Sequence, residues 1–305
     1  MEFYNKNDYD SNGKIVKYDN AKDAFMTKGV DDISLFNLKA TYYNKLYAQS
    51  TYSANDYGML QIMPDCSGII HSDMYAAGGM FIVKYSMPTG KIDRAMWHNP
   101  ASSISTTYVT RCVSNDGNHL FGVAGNFGNQ YIYRWGLSSP WNFGNLTSPT
   151  IGVACPSGGT AGMSNCYNLC FSVDGTKMFL LCDVDGYMPW VKSYNLSSPW
   201  NISGATFDAE KDLSVYGLYT CRYLNISDAG TSLYVMSSDM SCTLYQFPIS
   251  SAFDLQYMGA PTHTLEVSTM DSGWQASRFT IDPLFRRMWI SGMGTTGYNV
   301  KYYEQ

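Results

Sequence analysis

The chain has 305 residues, of which 45% are hydrophobic, 15% aromatic and only 15% charged, with a formal net charge of −5. The apolar content is sufficient for a packed core, which argues against an intrinsically disordered chain. The low charge and the lack of any Lys/Arg run argue against a nucleic-acid partner.

Neither a membrane span nor a secretory signal is expected from the sequence. No stretch approaches 18 consecutive apolar residues. The start, MEFYNKNDYD, lacks the basic and apolar segments of a signal peptide. Without such a signal, we expect the eight cysteines to be reduced and mostly buried. We expect no cofactor.

A turn followed by an apolar strand recurs along the chain. In chain order it occurs in YDSNGKIVKY (9–18), IMPDCSGII (62–70), CVSNDGNHLFGV (112–123), CFSVDGTKMFLL (170–181), LNISDAGTSLYVM (224–236) and FTIDPLFRRMWIS (279–291). Asp-Gly and Asn-Gly pairs indicate tight hairpin turns, because such turns need positive φ. Each copy therefore predicts two antiparallel strands.

A second landmark follows each turn, where an aromatic residue, one spacer and usually an aliphatic residue stand together. These anchors are Phe36-x-Leu38, Tyr85-x-Met87, Trp135-x-Leu137, Tyr194-x-Leu196, Phe247-x-Ile249 and Tyr302. Successive anchors lie 49, 50, 59, 53 and 55 residues apart. A period of this length indicates a repeat architecture with about six units.

Repeats of three to four antiparallel strands predict an all-β fold, a β-propeller that spans residues 1–305 as one domain. We expect six blades. Five would follow if residues 1–50 form a separate element, and seven would require shorter blades. Residues 1–50 are interpreted as a degenerate first blade or as an N-terminal element that closes the ring. In the latter case residues 1–8 would supply the outer strand that the last unit lacks.

Within one repeat, strands of two kinds are expected. TKMFLLC (176–182) is mostly apolar, which is typical of a strand covered on both faces. VKSYNL (191–196) alternates between apolar and polar residues, which predicts a half-covered strand.

The full repeat, FSVDGTKMFLL followed by VKSYNLSSPWNIS, resembles a repeat of bacteriophage and phage-derived propeller proteins. It occupies Phe171–Ser203, and a close copy covers Cys112–Asn145. The remaining units keep only its skeleton. The resemblance implies a virion-associated protein of tail or head-fibre type, or an adhesin-like module. It is specific for the architecture and much less so for the function.

Three tryptophans are candidates for a binding role: Trp141, Trp200 and Trp190. A Trp face can stack on a sugar ring or a partner surface. The structural alternative is that Pro ends the strand, Trp anchors one blade against the next, and Asn starts a turn. Because Leu-Ser-Ser-Pro-Trp-Asn occurs twice, at 137–142 and 196–201, a geometric role is favoured over a unique catalytic one.

A fragment of a calcium loop occurs at Asp183-x-Asp185-Gly186. Calcium prefers oxygen ligands around a tight glycine turn, so Asp183 and Asp185 are candidate ligands. The carboxylate that should follow is missing, because the twelfth position of the loop falls on Tyr194. An ordinary turn is therefore the competing interpretation, and no metal is expected.

Two hypotheses of different classes follow for the function. The first is a non-enzymatic structural and binding module of a phage particle, made without a signal peptide and carried in the virion. Its partners would be other virion proteins and a host surface glycan or receptor. The alternative is a propeller enzyme acting on carbohydrate, either a glycoside hydrolase or a lyase. That enzyme needs at least two carboxylates, or an arginine cluster, converging at the mouth of the central channel.

Overall fold

The structure is a computed structural model. It describes residues 37–43, 59–64, 68–74, 80–86, 94–98, 108–126, 128–143, 146, 149–159, 162–184, 188–238, 242–267, 275–281, 287–294 and 297–304. Residues 1–36, which carry the first predicted turn, lie outside these ranges.

The described strands are short and joined mainly by turns. Their bounds are β1 (Asn37–Tyr43), β2 (Met59–Ile62), β3 (Gly68–Met74), β4 (Met80–Ser86), β5 (Arg94–His98), β6 (Tyr108–Val113), β7 (His119–Asn126), β8 (Asn129–Gly136), β9 (Ile151–Ala154), β10 (Asn165–Phe171), β11 (Lys177–Val184), β12 (Met188–Asn195), β13 (Thr206–Asp212), β14 (Cys221–Ile226), β15 (Ser232–Ser237), β16 (Thr243–Pro248), β17 (His263–Glu266), β18 (Gln275–Ile281), β19 (Arg287–Gly294) and β20 (Gly297–Glu304).

These strands form five four-stranded antiparallel sheets, the blades of a β-propeller. Blade 1 contains β2–β5, blade 2 β6–β9, blade 3 β10–β13 and blade 4 β14–β17, each in sequence order. Blade 5 has the order β18, β19, β20 and β1, so its outermost strand comes from the N-terminal part of the chain. The prediction of a β-propeller is confirmed.

The expected count of six blades is corrected to five for the described strands. The anchors at Tyr85, Trp135, Tyr194, Phe247 and Tyr302 all lie in the third strand of a sheet, as the repeat requires. The sixth anchor, Phe36-x-Leu38, does not define a blade, because Leu38 lies in β1 and pairs with Tyr303 of β20. The outer strand of the last blade is therefore β1, whereas residues 1–8 lie outside the description.

The innermost strands β2, β6, β10, β14 and β18 line the centre of the ring and are bridged by side chains. The Gln61 amide donates to the carbonyl of Val113 at 2.8 Å and accepts from the N–H of Val113 at 2.8 Å, which joins blades 1 and 2. The Asn168 Nδ2 donates to the Thr110 hydroxyl at 2.8 Å and joins blades 3 and 2. Adjacent inner strands are thus tied by polar side chains as well as by apolar packing.

The ring closes through the same kind of contact. The N–H of Ile62 in blade 1 donates to the Thr280 hydroxyl of blade 5 at 3.0 Å. Across the ring, the buried Tyr223 hydroxyl of blade 4 donates to the Leu60 carbonyl at 2.9 Å. The Tyr223 ring also meets Phe279 of blade 5 edge to face, with centroids 5.2 Å apart. Blade 5 therefore contacts blade 4 on one side and blade 1 on the other.

The hydrophobic core lies between successive blades. One cluster joins blades 3 and 4 and includes Phe179, Leu224 and Phe247. As expected for TKMFLLC, the residues Met178–Cys182 of β11 are all buried. The expectation that VKSYNL is half-covered is wrong, because Lys192 and Ser193 are buried too. The fourth strand β13 and the neighbouring blade cover these polar side chains.

The repeated Leu-Ser-Ser-Pro-Trp-Asn segment holds the Asp-Gly turn of its own blade. The N–H of Trp200 donates to the Gly175 carbonyl at 2.9 Å, and the Trp200 ring lies directly over that glycine. Gly175 has a φ of +70°, and Trp200 itself has a φ of +62°. Both residues of the contact thus adopt the left-handed conformation.

The same contact occurs in two other blades. The N–H of Trp141 donates to the Gly117 carbonyl at 2.9 Å in blade 2, and the N–H of Phe253 to the Gly230 carbonyl at 2.8 Å in blade 4. Trp141 and Phe253 have a φ of +61° each. In blade 4, the segment SSAFD (250–254) therefore performs the structural role that SSPWN performs in blades 2 and 3, with a phenylalanine in place of the tryptophan.

Gly175 is expected to be intolerant of a side chain, because a Cβ there would lie 2.3 Å from the Trp200 ring. Gly217→Ala is the matched control, because its φ is +81° but a Cβ would meet nothing within 4 Å. Left-handed strain alone should cost Gly217→Ala about 1–2 kcal/mol. Gly175→Ala should lose about 1–3 kcal/mol more through overpacking, measured by urea unfolding. An equal loss of unfolding free energy in the two variants would show that the Trp200 ring does not restrict the space at Gly175.

The same turn predicts a pH dependence of stability. The Ser172 hydroxyl, 2.6 Å from Asp174 Oδ1, and the donors of Thr176 hold the pKa of Asp174 below its ordinary value. The carboxylate thus stabilises the fold above its unfolded-state pKa, about 3.9, and this contribution is lost as pH falls through the folded-state pKa. The thermal midpoint of Asp174→Asn should lie below that of the parent chain at pH 6. The difference between the two midpoints should become smaller as the pH is lowered to 3. A midpoint difference that does not change with pH would contradict a contribution from the Asp174 carboxylate.

Candidate functional site

The two ends of the ring differ in how they use the predicted site residues. The turn face carries the Asp-Gly turns between the first two strands of the blades, and the loop face lies at the opposite ends of the strands. Trp141 and Trp200 are both on the turn face, half-buried and buried respectively. The Trp200 carbonyl accepts from Arg134 Nη1 of blade 2 at 3.0 Å, which adds a link between blades. In this structure both rings pack on glycine turns.

Trp190 and Asp183 lie at the loop face of blade 3, on neighbouring strands. Asp183 is in β11 opposite Pro189, and the half-buried Trp190 is in β12 opposite Asp212. Asp183 is thus part of a strand rather than of a calcium-type loop. Asp185 lies outside the described residues.

The Asp183 carboxylate is buried and accepts three hydrogen bonds. The N–H of Asn165 donates to Oδ1 at 2.8 Å, and the Asn165 amide donates to Oδ2 at 3.3 Å. The Tyr167 hydroxyl also donates to Oδ2, at 2.5 Å. Both oxygens are therefore engaged by protein donors. Within the described ranges, no group of three or more His, Cys, Asp or Glu side chains is placed to hold a metal ion.

An exposed arginine continues this network to the surface. The Arg222 guanidinium lies over the Tyr167 ring, 4.1 Å from its centroid, a distance typical of cation–π contact. Burial, together with the hydrogen bond to Asp183, raises the pKa of Tyr167, so the hydroxyl remains a donor. Arg222, Tyr167 and Asp183 thus form a polar cluster at the junction of blades 3 and 4.

Two β-bulges, one in β10 and one in β14, position the side chains of this cluster. The register of β10 shifts between Cys166 and Asn168, and that of β14 shifts between Cys221 and Tyr223. Tyr167 and Arg222 are the extra residues at these shifts. A bulge re-aims a side chain away from the regular alternation, and here it brings the two residues of adjacent inner strands together.

Apolar side chains are exposed beside this cluster. Val215 and Tyr219 are each 69% exposed, and Met188 is 49% exposed. Val215 lies in the 3₁₀ helix Ser214–Tyr216 after β13, and Met188 begins β12. The N–H of Leu213 donates to the Pro189 carbonyl at 2.9 Å, which holds the helix next to the start of β12. We call Met188, Val215, Tyr219 and Arg222 the loop-face patch.

Sequence reasoning missed the loop-face patch. Its one visible signal is the segment SVYGLYT (214–220), which carries four large apolar or aromatic side chains within a connection between blades. Connections are usually polar, so such a segment indicates either a packed loop or an interaction surface.

At the turn face, the inner strands of the blades surround a pocket at the mouth of the central channel. Its walls combine aliphatic, aromatic and polar side chains, and its polar groups include Gln61, Asn115, Asn225 and Thr280. Among the described lining residues, the one carboxylate is Asp228 and no Lys, Arg or His occurs.

The cysteines and helices add no further candidate site. None of the seven cysteines that the structure describes forms a disulfide; six are buried and Cys155 is half-buried. No helix in the described part of the chain has the length and apolar character needed to cross a membrane.

Comparisons with known proteins identify the fold and no family. No family model and no curated protein matches the chain. The β-propeller domain of Cps50 (Swd1) from Myceliophteria thermophila is similar in structure, with 9% identity, a TM-score of 0.51, and coverage of 88% of this chain and 99% of that domain. This likeness supports the β-propeller fold alone.

Two further structures align with lower scores. A chain of the Mitotic Checkpoint Complex aligns with 10% identity and a TM-score of 0.44, covering 88% of this chain and 94% of its own. The periplasmic gluconolactonase PpgL of Pseudomonas aeruginosa aligns with 15% identity and a TM-score of 0.41. The alignment covers 78% of this chain and 66% of the gluconolactonase chain. Neither similarity indicates a function for this chain.

The network around Asp183 predicts a structural role for this carboxylate. Asp183→Ala would leave the N–H of Asn165 and the Tyr167 hydroxyl without their acceptor, which should cost about 2–3 kcal/mol in urea unfolding. Tyr167→Phe removes one bond and should cost about 1 kcal/mol. Because both oxygens accept hydrogen bonds, Ca²⁺ should leave the thermal midpoint unchanged. A Ca²⁺-dependent rise that Asp183→Ala abolishes would establish a calcium site instead.

Proposed function

We propose that this chain is a non-enzymatic virion module, associated with a phage tail or head fibre, that contributes to particle assembly or host attachment. The observation that carries the proposal is the loop-face patch, where Val215 and Tyr219 expose most of their side chains on the same face of the ring as Met188 and Arg222. Exposed apolar side chains clustered with an arginine are typical of protein-interaction surfaces.

The repeat pattern supports the viral part of the proposal through resemblance. The phage-type repeat FSVDGTKMFLL with VKSYNLSSPWNIS covers β11 and β12, the two central strands of blade 3, and its close copy covers the corresponding strands of blade 2. The low fraction of charged residues, 15%, suits a chain that docks into an assembly. The proposed partners are other virion proteins at the loop-face patch, and a host surface glycan or receptor elsewhere on the ring.

The location of the chain in the particle is the first test. Particles of a phage that encodes this chain should contain it after density-gradient purification, as measured by mass spectrometry and immunogold labelling of tail or head fibres. In a complementation assay, Val215→Asp with Tyr219→Asp should lower its incorporation about tenfold, the factor that corresponds to about 1.4 kcal/mol of binding.

The matched control is Tyr257→Asp, because Tyr257 is 57% exposed on the opposite, turn-facing side of blade 4. It should be incorporated like the parent chain. Absence from purified particles would contradict the virion role. Release of reducing ends or unsaturated sugars from capsular or cell-wall glycan by the purified chain would contradict the non-enzymatic role and favour a carbohydrate-active propeller.

A further inference from the structure

One arginine of the loop-face patch is held by an aromatic ring but pairs with no acceptor of its own chain. The Arg222 side chain is exposed, and its guanidinium lies 4.1 Å from the centroid of the Tyr167 ring. In the described part of the chain, no hydrogen bond or ion pair engages this guanidinium. The cation–π contact therefore positions the group while its N–H donors stay available for a ligand.

The ring under this guanidinium is itself fixed. The Tyr167 hydroxyl donates to Asp183 Oδ2 at 2.5 Å and accepts from Asn165 Nδ2 at 3.4 Å. Asp183 is buried and uses both oxygens on Asn165 and Tyr167 rather than on an ion pair with Arg222. Because its support is rigid, the guanidinium would lose little conformational freedom on binding a ligand.

The inner strands place Arg222 at the loop-face end of the central channel. β10 and β14 are the innermost strands of blades 3 and 4, and both begin at the loop face. The N–H of Leu224 donates to Asn168 Oδ1 at 3.4 Å, which ties the two strands together next to their bulges. The position of Arg222 is thus set by the backbones of two blades.

The bulge recurs around the ring, whereas the charge does not. The registers of β6 and β18 also shift near their loop-face ends, and the extra residues there are Val109 and Ser277. Among the four bulges of the described inner strands, Arg222 is the one charged residue. Since the same bulge forms elsewhere with an uncharged residue, the fold does not require a guanidinium at this position.

A single guanidinium with available donors matches a carboxylate. Its planar fork can donate to both oxygens of a carboxylate at once. A polyanion such as nucleic acid is bound through several cations, whereas these bulges supply one and the whole chain carries a net charge of −5. Tyr219 precedes Arg222 by three residues and is 69% exposed. An aromatic residue and an arginine exposed in one segment are typical of contacts with a protein.

We infer that Arg222 binds an Asp or Glu carboxylate of a partner protein, and that Tyr167 is the residue that positions it. The inference rests on the proposed function, because it names the chemistry that a partner presents to the loop-face patch. That chemistry is an acidic side chain next to an apolar one. Tyr219 contacts the apolar side chain, and Arg222 pairs with the acidic one.

The test uses the purified full chain and a displayed library of random peptides. Peptides retained by the parent chain and not by Arg222→Gln should be enriched in Asp or Glu next to an aromatic or aliphatic residue. In fluorescence anisotropy with one such peptide, Arg222→Gln should weaken binding about tenfold to a hundredfold, because a hydrogen-bonded charge pair is broken. Arg222→Lys should weaken it less, since the charge remains and only the fork is lost.

Changing the peptide as well tests the contact directly. Replacing its Asp or Glu with Asn or Gln should weaken binding to the parent chain by the same factor. The same replacement should leave binding to Arg222→Gln nearly unchanged, because the pair is already broken. Two losses that simply multiply would show that the carboxylate binds elsewhere, and would overturn the inference.

Arg287→Gln is the matched control. Arg287 also lies over an aromatic ring, 5.6 Å from the centroid of the Trp289 ring, but it stands at the turn-face start of β19. This variant should bind the selected peptides like the parent chain. Because Arg222 is exposed, Arg222→Gln should keep the circular dichroism spectrum of the parent chain, so that a loss of binding reports on the contact rather than on folding.

The inference and the virion proposal can fail separately. A library that yields no peptide whose retention depends on Arg222 would overturn the inference. If such peptides bind but the chain is absent from purified particles, the virion proposal fails alone. If the chain is in particles and Arg222→Gln is incorporated like the parent chain, while Val215→Asp with Tyr219→Asp is not, this inference fails alone.

Discussion

Closure of the ring is the constraint on which the rest of the structure depends. Each blade is a sheet with two faces, and both are covered only when a neighbour stands on either side. The first and last blades would each expose a face if the ring stayed open. Pairing of β1 with β20 places an N-terminal strand at the edge of the last blade, and the bond from Ile62 to Thr280 joins that blade to the first. The last blade therefore has a neighbour on each side, and the ring is closed at this junction.

The repeat could be predicted from the sequence because its residues perform local tasks. A turn with positive φ needs glycine, and a ring that rests on this glycine must follow at a set distance, as Gly175 and Trp200 show. The anchor pattern was less specific. Aromatic-x-aliphatic suits any covered strand, so Leu38 in a fourth strand looked like the third strand of another blade. Only the pairing partner distinguishes the two, and pairing is not a local property.

The loop face could not be predicted for a related reason. Tyr167 and Arg222 are 55 residues apart in sequence, and they meet because two blades stand side by side and each inner strand has a bulge at the same level. Lys192 likewise looked like an outward residue of an alternating strand, yet it is buried against Gly158 of the preceding blade. Contacts of this kind depend on the distance between blades, which no single repeat encodes.

The turn face is therefore built from residues that recur in several blades, whereas the loop face is built from residues that do not recur. On the turn face, the same contact between a glycine turn and an aromatic residue with positive φ recurs in blades 2, 3 and 4. Residues that a blade needs for its own turn cannot vary without cost, so they are poor carriers of specificity. The loop-face patch consists of side chains that are not part of this repeated contact. Its exposed members Val215 and Tyr219 lie outside the buried inter-blade core, so a partner preference placed there can vary while the ring stays the same.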